Sequence, residues 1–180
     1  LKLKKTSKGY ELDMNEEDYN KKKYVEFTGD KEMTKVILNI FNNNLDELSE
    51  VLREQINNLH SDKNTKNGNL RGSIVKILMI TQSGSEGISL KNVRQVHLIE
   101  PYWNMIRIDQ VIGRAVRTGS HLGLPVKDRN IDVYRYLCKF SKKHLEDRKV
   151  KNMDFGKTSD EVIHELAIKK DKITKKFLEL

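Results

Sequence analysis

The sequence has little of what disulfide-bonded, cysteine-zinc or membrane-spanning proteins need. Cys138 is the only cysteine among 180 residues, so an internal disulfide or a zinc site with several cysteine ligands cannot form within it. No apolar run approaches the roughly 18 residues of a membrane span, and no charged start with an apolar core marks a signal peptide. We therefore expect a soluble, intracellular protein without a membrane partner, and a buried structural thiol at Cys138.

The chain also has fewer acids than bases. Its formal net charge is +8 and its sequence pI is about 9.4, a balance that attracts phosphate polyanions, either nucleic acid or an anionic membrane surface. A length of 180 residues suits one packed domain with appendages and leaves no room for a second catalytic domain. Because the chain begins at Leu1 rather than methionine and a helical pattern runs to Leu180, we expect both ends to lie within a longer parent protein.

Apolar runs of β-type composition alternate with segments of helical periodicity. The predicted strands are residues 24–28, 74–80, 95–100 and 131–140. Between the first two, apolar residues recur at helical spacing over residues 31–59, and the interruption at Asn42-Asn43-Asn44 leaves one broken helix or two short ones open. This alternation is typical of βαβ units, so it predicts an α/β fold with a largely parallel sheet flanked by helices.

The sequence predicts three segments. Residues 1–23, rich in lysine and acids, favour a helix and linker leading into the fold, residues 24–150 form the lobe, and residues 151–180 form a C-terminal helical extension. Thr158 and Glu161 have the spacing of a capping box before that last helix. Within the lobe, polar residues 60–73 predict a surface loop that is either a solvated insertion or a basic contact for nucleic acid.

The segment from Asn104 to Arg117 predicts one amphipathic helix. Its buried stripe consists of five apolar residues at helical spacing: Ile108, Val111, Ile112, Ala115 and Val116. Gln110, Arg114 and Arg117 are also separated by four and three residues and would share another face. Gly113 beside them removes a side chain where a ligand could come close. Guanidinium groups match phosphate oxygens at any working pH, so this face indicates either a phosphate site or a solvated basic surface with ion pairs.

Two runs of residues resemble signature motifs of superfamily 2 helicases. The run Gln110-Val-Ile-Gly113-Arg114-Ala-Val-Arg117 matches the Q-x-x-G-R-x-x-R pattern of motif VI at every fixed position. Residues 81–90, Thr-Gln-Ser-Gly-Ser-Glu-Gly-Ile-Ser-Leu, are similar to motif V and follow a predicted strand, as in that family. Two motifs in this order and separation are far more specific than either alone.

Finer features narrow the resemblance. Residues 100–104, Glu-Pro-Tyr-Trp-Asn, resemble the aromatic-Asn step of Swi/Snf-type ATPases. Ser120-His121, Leu124-Pro125 and the tail from Thr158 most resemble the helicase-like transcription ATPases of large cytoplasmic DNA viruses, of the poxvirus early transcription factor small subunit type. The resemblance covers residues 24–180, and residues 8–12 are similar to the end of the helix after motif IV.

The resemblance implies the second, C-terminal RecA-like lobe of a nucleic-acid-dependent ATPase. Arg114 and Arg117 match the arginine fingers that reach across the lobe interface to the γ-phosphate. Such a residue is worth about 10³ to 10⁵ in rate in related phosphoryl transfer. Gln110 and Gly113 would line the same nucleotide cleft.

In motif V, the resemblance implies that Gly84, Glu86 and Gly87 face the nucleotide and that Thr81 and Ser83 contact a nucleic-acid phosphate. A glycine-bearing turn of exposed N–H groups suits either anion. The residues alone therefore leave nucleotide and backbone phosphate open as the ligand of this loop.

Two matches to ATP-binding motifs in the C-terminal tail are interpreted as chance. Gly156-Lys157-Thr158 mimics the end of a P-loop, but Lys151 stands where that loop requires glycine. Residues 160–164, Asp-Glu-Val-Ile-His, mimic a DExH box without the apolar strand that would deliver its acid. Because a P-loop lysine and a magnesium-binding acid are otherwise missing from the sequence, we expect ATP and Mg²⁺ to be bound mainly by a preceding lobe and this fragment alone to be inactive.

The expected partners are nucleic acid, double-stranded DNA in particular, the N-terminal RecA-like lobe of the same parent and viral transcription machinery, in the virion and host cytoplasm. Two other functions stay open: a non-catalytic nucleic-acid-binding module, and a docking subunit for transcription or capsid partners. No metal site is expected, because His97 and His121 have no cysteine partners. Trp103 indicates either a hydrophobic anchor or a base-stacking platform.

Overall fold

The computed structural model describes residues 1–7, 9–18, 21–27, 30–58, 68–81, 87–146 and 156–178. The chain forms two compact units. Unit 1 comprises residues 1–93 and 117–129, and unit 2 comprises residues 94–116 and 130–180. Among the helices described, none is long and apolar enough to cross a membrane.

The start of unit 1 is an antiparallel hairpin, where the sequence favoured a helix and linker. β1 (Leu3–Thr6) pairs with β2 (Gly9–Leu12), and Lys5 lies opposite Tyr10. Long-range contacts hold this hairpin, because Tyr10 is buried and the Leu12 amide donates to Gln55 Oε1 at 2.8 Å. Such tertiary contacts outweigh a weak local pattern. The predicted helix within residues 1–23, including the helix end at residues 8–12, is therefore wrong.

A parallel βαβ arrangement follows the hairpin in unit 1. β3 (Tyr24–Glu26) lies parallel to β4 (Ile77–Met79), and the connection contains α1 (Lys31–Phe41) and α2 (Glu50–Asn58). The choice that the sequence left open is thus settled as two short helices. Of the predicted surface loop at residues 60–73, only residues 68–73 are described, and they form turns and bends.

The core of unit 1 lies between these helices and strands. Apolar residues at helical spacing on α1 and α2 supply its least exposed side chains, with Ile40 and Ile56 at 0% exposure. Further buried members come from β3 and the residue after it, from the segment before β4 and from the end of motif V: Val25, Phe27, Ile74, Val75, Ile88 and Leu90. Burial of Ile88 and Leu90 fixes where the motif V loop rejoins the core.

Unit 2 contains the second parallel pair. β5 (Gln95–Leu98) lies parallel to β6 (Asp132–Arg135), and α3 (Met105–Ala115) lies between them in sequence. α4 (Lys142–Glu146) and α5 (Ser159–Leu178) follow, and α5 packs against α3. Short 3-10 helices occur at Glu16–Asp18, Leu45–Glu47 and Val126–Asp128. The predicted α/β class, with parallel strands, flanking helices and a C-terminal helix, is confirmed.

The junction between β6 and α5 confirms one prediction and corrects another. The capping box forms as predicted, since the Glu161 amide donates to Thr158 Oγ1 at 3.3 Å and the Thr158 amide donates to Glu161 Oε2 at 3.1 Å. Cys138, by contrast, is exposed, and the predicted buried thiol is wrong. β6 ends at Arg135, and the backbone amide of Cys138 donates to Asp160 Oδ2 at 2.8 Å.

Candidate functional site

Helix α3 carries most of motif VI, and its N-terminal cap and buried side chains hold it in place. Asn104 begins the helix, and its side-chain oxygen accepts from the Ile106 amide at 3.0 Å. Ile108 and Ala115 are buried on the inner face, which confirms part of the predicted stripe, whereas Val116 is 53% exposed. Capping and burial together hold the backbone of this helix in one orientation.

Three motif VI residues lie along this helix. Gln110 is exposed, Arg114 is half-buried in the last turn, and their spacing of four residues places them on one face. A Cβ added at Gly113 would meet nothing within 4 Å, so the space above that backbone is open. Arg114 makes no hydrogen bond or ion pair with the part of the chain that the structure describes. Its guanidinium is available to an external anion.

Arg117 is not on this helix, and the predicted single helix through residue 117 is wrong at its end. The last helical residue is Ala115, and Val116 departs from helical geometry at φ −103° and ψ 65°. Only the Val116 amide still donates back, to Ile112 O at 3.0 Å. Gly119, at φ +79°, closes a turn that β-branched Val116 and Thr118 favour over further helix. Arg117 therefore does not share the face of Gln110 and Arg114 through helical periodicity.

The backbone of Arg117 is instead anchored by a hydrogen-bonded turn in unit 1. The Arg117 carbonyl accepts from the Ser120 amide at 2.9 Å, and the Ser120 carbonyl accepts from the Asn92 amide at 2.9 Å. His121 completes the anchor, with Nε2 at 2.6 Å from Val93 O and Nδ1 at 2.8 Å from Ser120 Oγ. Both histidine nitrogens are thus used structurally. The helical periodicity of residues 104–117 did not predict this anchor, and the Ser120-His121 pair was the only signal for it in the sequence.

The motif V loop is described only at its two ends. Ser83, Gly84 and Glu86 lie outside the described residues. Thr81 is exposed two residues after the end of β4, and Gly87 is exposed at φ +75° with open space where a Cβ would stand. The left-handed backbone at Gly87 explains why glycine is needed there even though nothing crowds it.

A buried asparagine ties the exit of motif V to helix α1. Asn42 lies in the sequence interruption noted between the two helical segments, and it is 9% exposed. Its Nδ2 donates to Ser89 O at 2.8 Å, and its Oδ1 accepts from the Lys91 amide at 2.8 Å. The Asn42 side chain thus satisfies both the Ser89 carbonyl and the Lys91 amide where the chain leaves the motif V loop. The polarity of Asn42 suggested only a helix break.

The aromatic residues of unit 2 have internal contacts. Lys170 Nζ lies 4.1 Å from the Trp103 ring centroid, and the Arg107 guanidinium lies 5.1 Å from the Tyr102 ring centroid. Trp103 is 46% exposed. His97 stacks on Tyr134 with centroids 4.8 Å apart, and its Nδ1 lies 2.8 Å from Tyr136 Oη. One face of Trp103 is therefore occupied by a cation, which fits an anchor better than an open base-stacking platform.

The two chance matches in the C-terminal tail have structural roles. Lys157 donates to both carboxylate oxygens of Glu165, at 2.6 and 2.7 Å. Thr158 and Glu161 form the cap of α5, and Asp160 accepts from the Cys138 amide. Their polar groups are satisfied within the fold, as the interpretation of a chance resemblance requires.

Comparison with known proteins agrees with the motifs. The family described as "Helicase conserved C-terminal domain" matches residues 5–119. The chain is 48% identical over 84 residues to an Acanthamoeba polyphaga mimivirus protein named as an ATP-dependent RNA helicase, covering 47% of this chain and 10% of that protein. It is 36% identical over 112 residues to an African swine fever virus homologue of termination factor NPH-I, covering 62% of this chain and 16% of that protein.

A further relative comes from a different source. The chain is 37% identical over 99 residues to a killer plasmid helicase of Kluyveromyces lactis, covering 52% of this chain and 16% of that protein. The chain thus spans 10% to 16% of the length of these three relatives. No solved structure matches it.

Proposed function

Because this chain belongs to the family of helicase conserved C-terminal domains, we propose that it is the second motor lobe of an ATP-driven helicase or translocase. Duplex DNA is the proposed track, supported by the Swi/Snf-like step at Trp103-Asn104. A role in viral transcription is supported by the name of the African swine fever virus relative, a termination factor homologue.

The observation that carries this proposal is the state of the motif VI arginines. The guanidinium groups of Arg114 and Arg117 have no hydrogen bond or ion pair with the described residues, whereas the backbone of each is held by hydrogen bonds. An unpaired guanidinium on an anchored backbone is suited to charge that develops on a transferring phosphoryl group. We assign both as arginine fingers for the γ-phosphate, with Gln110 and Gly113 lining the same nucleotide cleft.

Motif V supplies the remaining proposed contacts. Gly84, Glu86 and Gly87 are assigned to the nucleotide side of the loop, and Thr81 and Ser83 to a nucleic-acid phosphate. Exposure of Thr81 and Gly87 at the loop ends is consistent with both assignments. Exposed backbone N–H groups near a left-handed glycine can bind an anion without a basic side chain.

ATP and Mg²⁺ belong mainly to the other lobe in this proposal. The sequence has no G-x-x-x-x-G-K-[ST] run, and the acids of the DExH-like match are used as caps and backbone acceptors. Phosphoryl transfer needs a phosphate-binding lysine and a metal-binding acid. The 180-residue chain is therefore expected to show no ATPase activity alone.

The test is nucleic-acid-stimulated ATPase of the intact helicase carrying Arg114→Ala or Arg117→Ala. We expect kcat to fall by about 10³-fold or more in either variant, because an arginine finger acts in the transition state. Nucleotide affinity, measured by titration of a fluorescent ATP analogue, should change far less than kcat.

Arg71→Ala is the matched control. Its guanidinium is exposed and pairs with Asp128 at 3.4 Å, so its loss should leave kcat nearly unchanged. A rate within about twofold of the parent for both motif VI variants would remove the arginine-finger assignment. Retained nucleic-acid binding with no ATPase in the unaltered protein would instead support the non-catalytic binding module.

A further inference from the structure

Helix α5 has an exposed row of apolar side chains that its own fold does not cover. Val162, Leu166, Ile173 and Phe177, called the apolar stripe here, are 51%, 43%, 56% and 73% exposed. At roughly 100° per residue these four positions fall within an arc of roughly 60° along the helix. The inward side of α5 is separate, because Ala167 is 0% exposed and α5 packs against α3.

Three of the four acids on α5 pair with lysines of unit 2, and the fourth, Asp160, accepts a hydrogen bond from the Cys138 amide. Glu161, Glu165 and Asp171 each lie within ion-pairing distance of a lysine: Lys139 at 3.6 Å, Lys157 at 2.6 Å and Lys175 at 2.7 Å, respectively. Hydrogen bonds from Thr158 also hold the pKa of Glu161 below its ordinary value. The negative charges of the helix are therefore not available to a partner.

Several lysines beside the apolar stripe have no acidic partner among the described residues. Lys169, Lys172 and Lys176 are exposed and make no ion pair within the described part of the chain. By helical position, Lys169 and Lys176 border one side of the stripe and Lys170 borders the other. The apolar stripe thus has unpaired lysines along one edge, and its other edge is bordered by Lys170, whose Nζ lies over the Trp103 ring.

We propose that the apolar stripe of α5 is a docking surface for an acidic amphipathic helix of a second protein. An apolar patch rimmed by charge is typical of interaction sites, and a basic amphipathic helix is typical of recognition between helices of opposite charge. A narrow stripe favours a helix over a flat bilayer, which needs a wide apolar face. A second copy would oppose its own unpaired lysines, and a nucleic-acid backbone offers no apolar surface to cover the aliphatic side chains of Val162, Leu166 and Ile173.

The test uses the full chain and two fluorescein-labelled synthetic peptides. Both peptides contain the same glutamate and leucine residues. In one peptide their sequence forms an amphipathic helix, and in the other the sequence is scrambled so that it does not. Fluorescence anisotropy should show binding of the amphipathic peptide that weakens as salt rises. Replacing Ile173 and Phe177 with serine should weaken it about tenfold or more, since buried apolar anchors dominate such interfaces. Lys169→Glu should also weaken binding of the amphipathic peptide.

Ile168→Ser is the matched control, because Ile168 is a 36% exposed apolar residue of the same helix outside the stripe. Its variant should bind as the parent chain does. Equal affinity for both peptides would overturn the role of the stripe. The proposal would also be overturned by preferred binding to phosphatidylserine vesicles, by duplex DNA that displaces the peptide, or by self-association in light scattering that Phe177→Ser abolishes.

Discussion

The side chain of Asn42 offers a direct measure of how firmly the motif V exit is held. Its two hydrogen bonds, to Ser89 O and from the Lys91 amide, are both 2.8 Å long. Asn42→Ala removes both, while the backbone at φ −77° and ψ 0° accepts alanine without strain. Each lost bond costs about 1 kcal/mol, toward the lower end of the range because Ser89 and Lys91 are exposed and can rehydrate. The expected loss in free energy of unfolding is about 2 kcal/mol.

Urea and thermal unfolding followed by circular dichroism measure this loss on the full chain. A loss of about 2 kcal/mol corresponds to a fall in Tm of about 4 to 8 °C for a chain of this size. Asn44→Ala is the control two residues away. Among the described residues, Asn44 Oδ1 accepts only from the exposed Lys91 Nζ, at 3.2 Å, so this change should cost less than about 0.5 kcal/mol. Equal losses in the two variants would refute the reasoning that the Asn42 bonds hold the loop exit.

Two further predictions concern side chains that satisfy backbone amides. Asn69→Ala should lower the free energy of unfolding by about 3 kcal/mol, because Asn69 Oδ1 accepts from the Ile74 and Val75 amides at 3.0 and 2.8 Å. Asn69→Asp keeps this acceptor and should recover part of the loss in urea unfolding. No recovery in Asn69→Asp would count against this role of the Asn69 oxygen. Hydrogen bonds from the Met33 and Glu32 amides lower the pKa of Asp30. The stability that the Asp30 carboxylate contributes is therefore present above the ordinary aspartate pKa and is lost as pH falls through the lower pKa of the folded state. Asp30→Asn should flatten the decrease in stability over this acidic range, and an unchanged decrease would exclude Asp30 as its source.

Strands and caps were predictable where local chemistry decides the outcome. Each of the four predicted strand regions contains an observed strand, and the Thr158 and Glu161 capping box forms as its spacing indicates. The Asn104 cap of α3 likewise needs only residues adjacent in sequence. In the two caps the interacting groups are within one helical turn, so a sequence pattern contains both partners, and the strands were predicted from their apolar composition alone.

The remaining features depend on partners far apart in sequence. The N-terminal hairpin is fixed by burial of Tyr10 and by Gln55, which lies 43 residues from Leu12, and no local pattern contains that partner. His121 reaches Val93 across 28 residues, so its structural role could not be separated from surface exposure by sequence. Exposure of Cys138 was missed because an apolar run predicts burial, whereas β6 is exposed along its whole length and ends at Arg135, before Cys138.

The end of α3 changes how the spacing of motif VI is explained. Gln110 and Arg114 are four residues apart because one helix face presents both, but Arg117 follows at three residues after the helix has ended at Ala115. Its backbone is set by the turn through Gly119 and by the Ser120-His121 anchor in unit 1, whereas Arg114 depends on the Asn104 cap and the burial of Ile108 in unit 2. The motif therefore combines a helical part and a turn part. Two arginines whose backbones have separate supports can each be directed at a phosphate group without sharing a helix face, which is consistent with the proposed finger role.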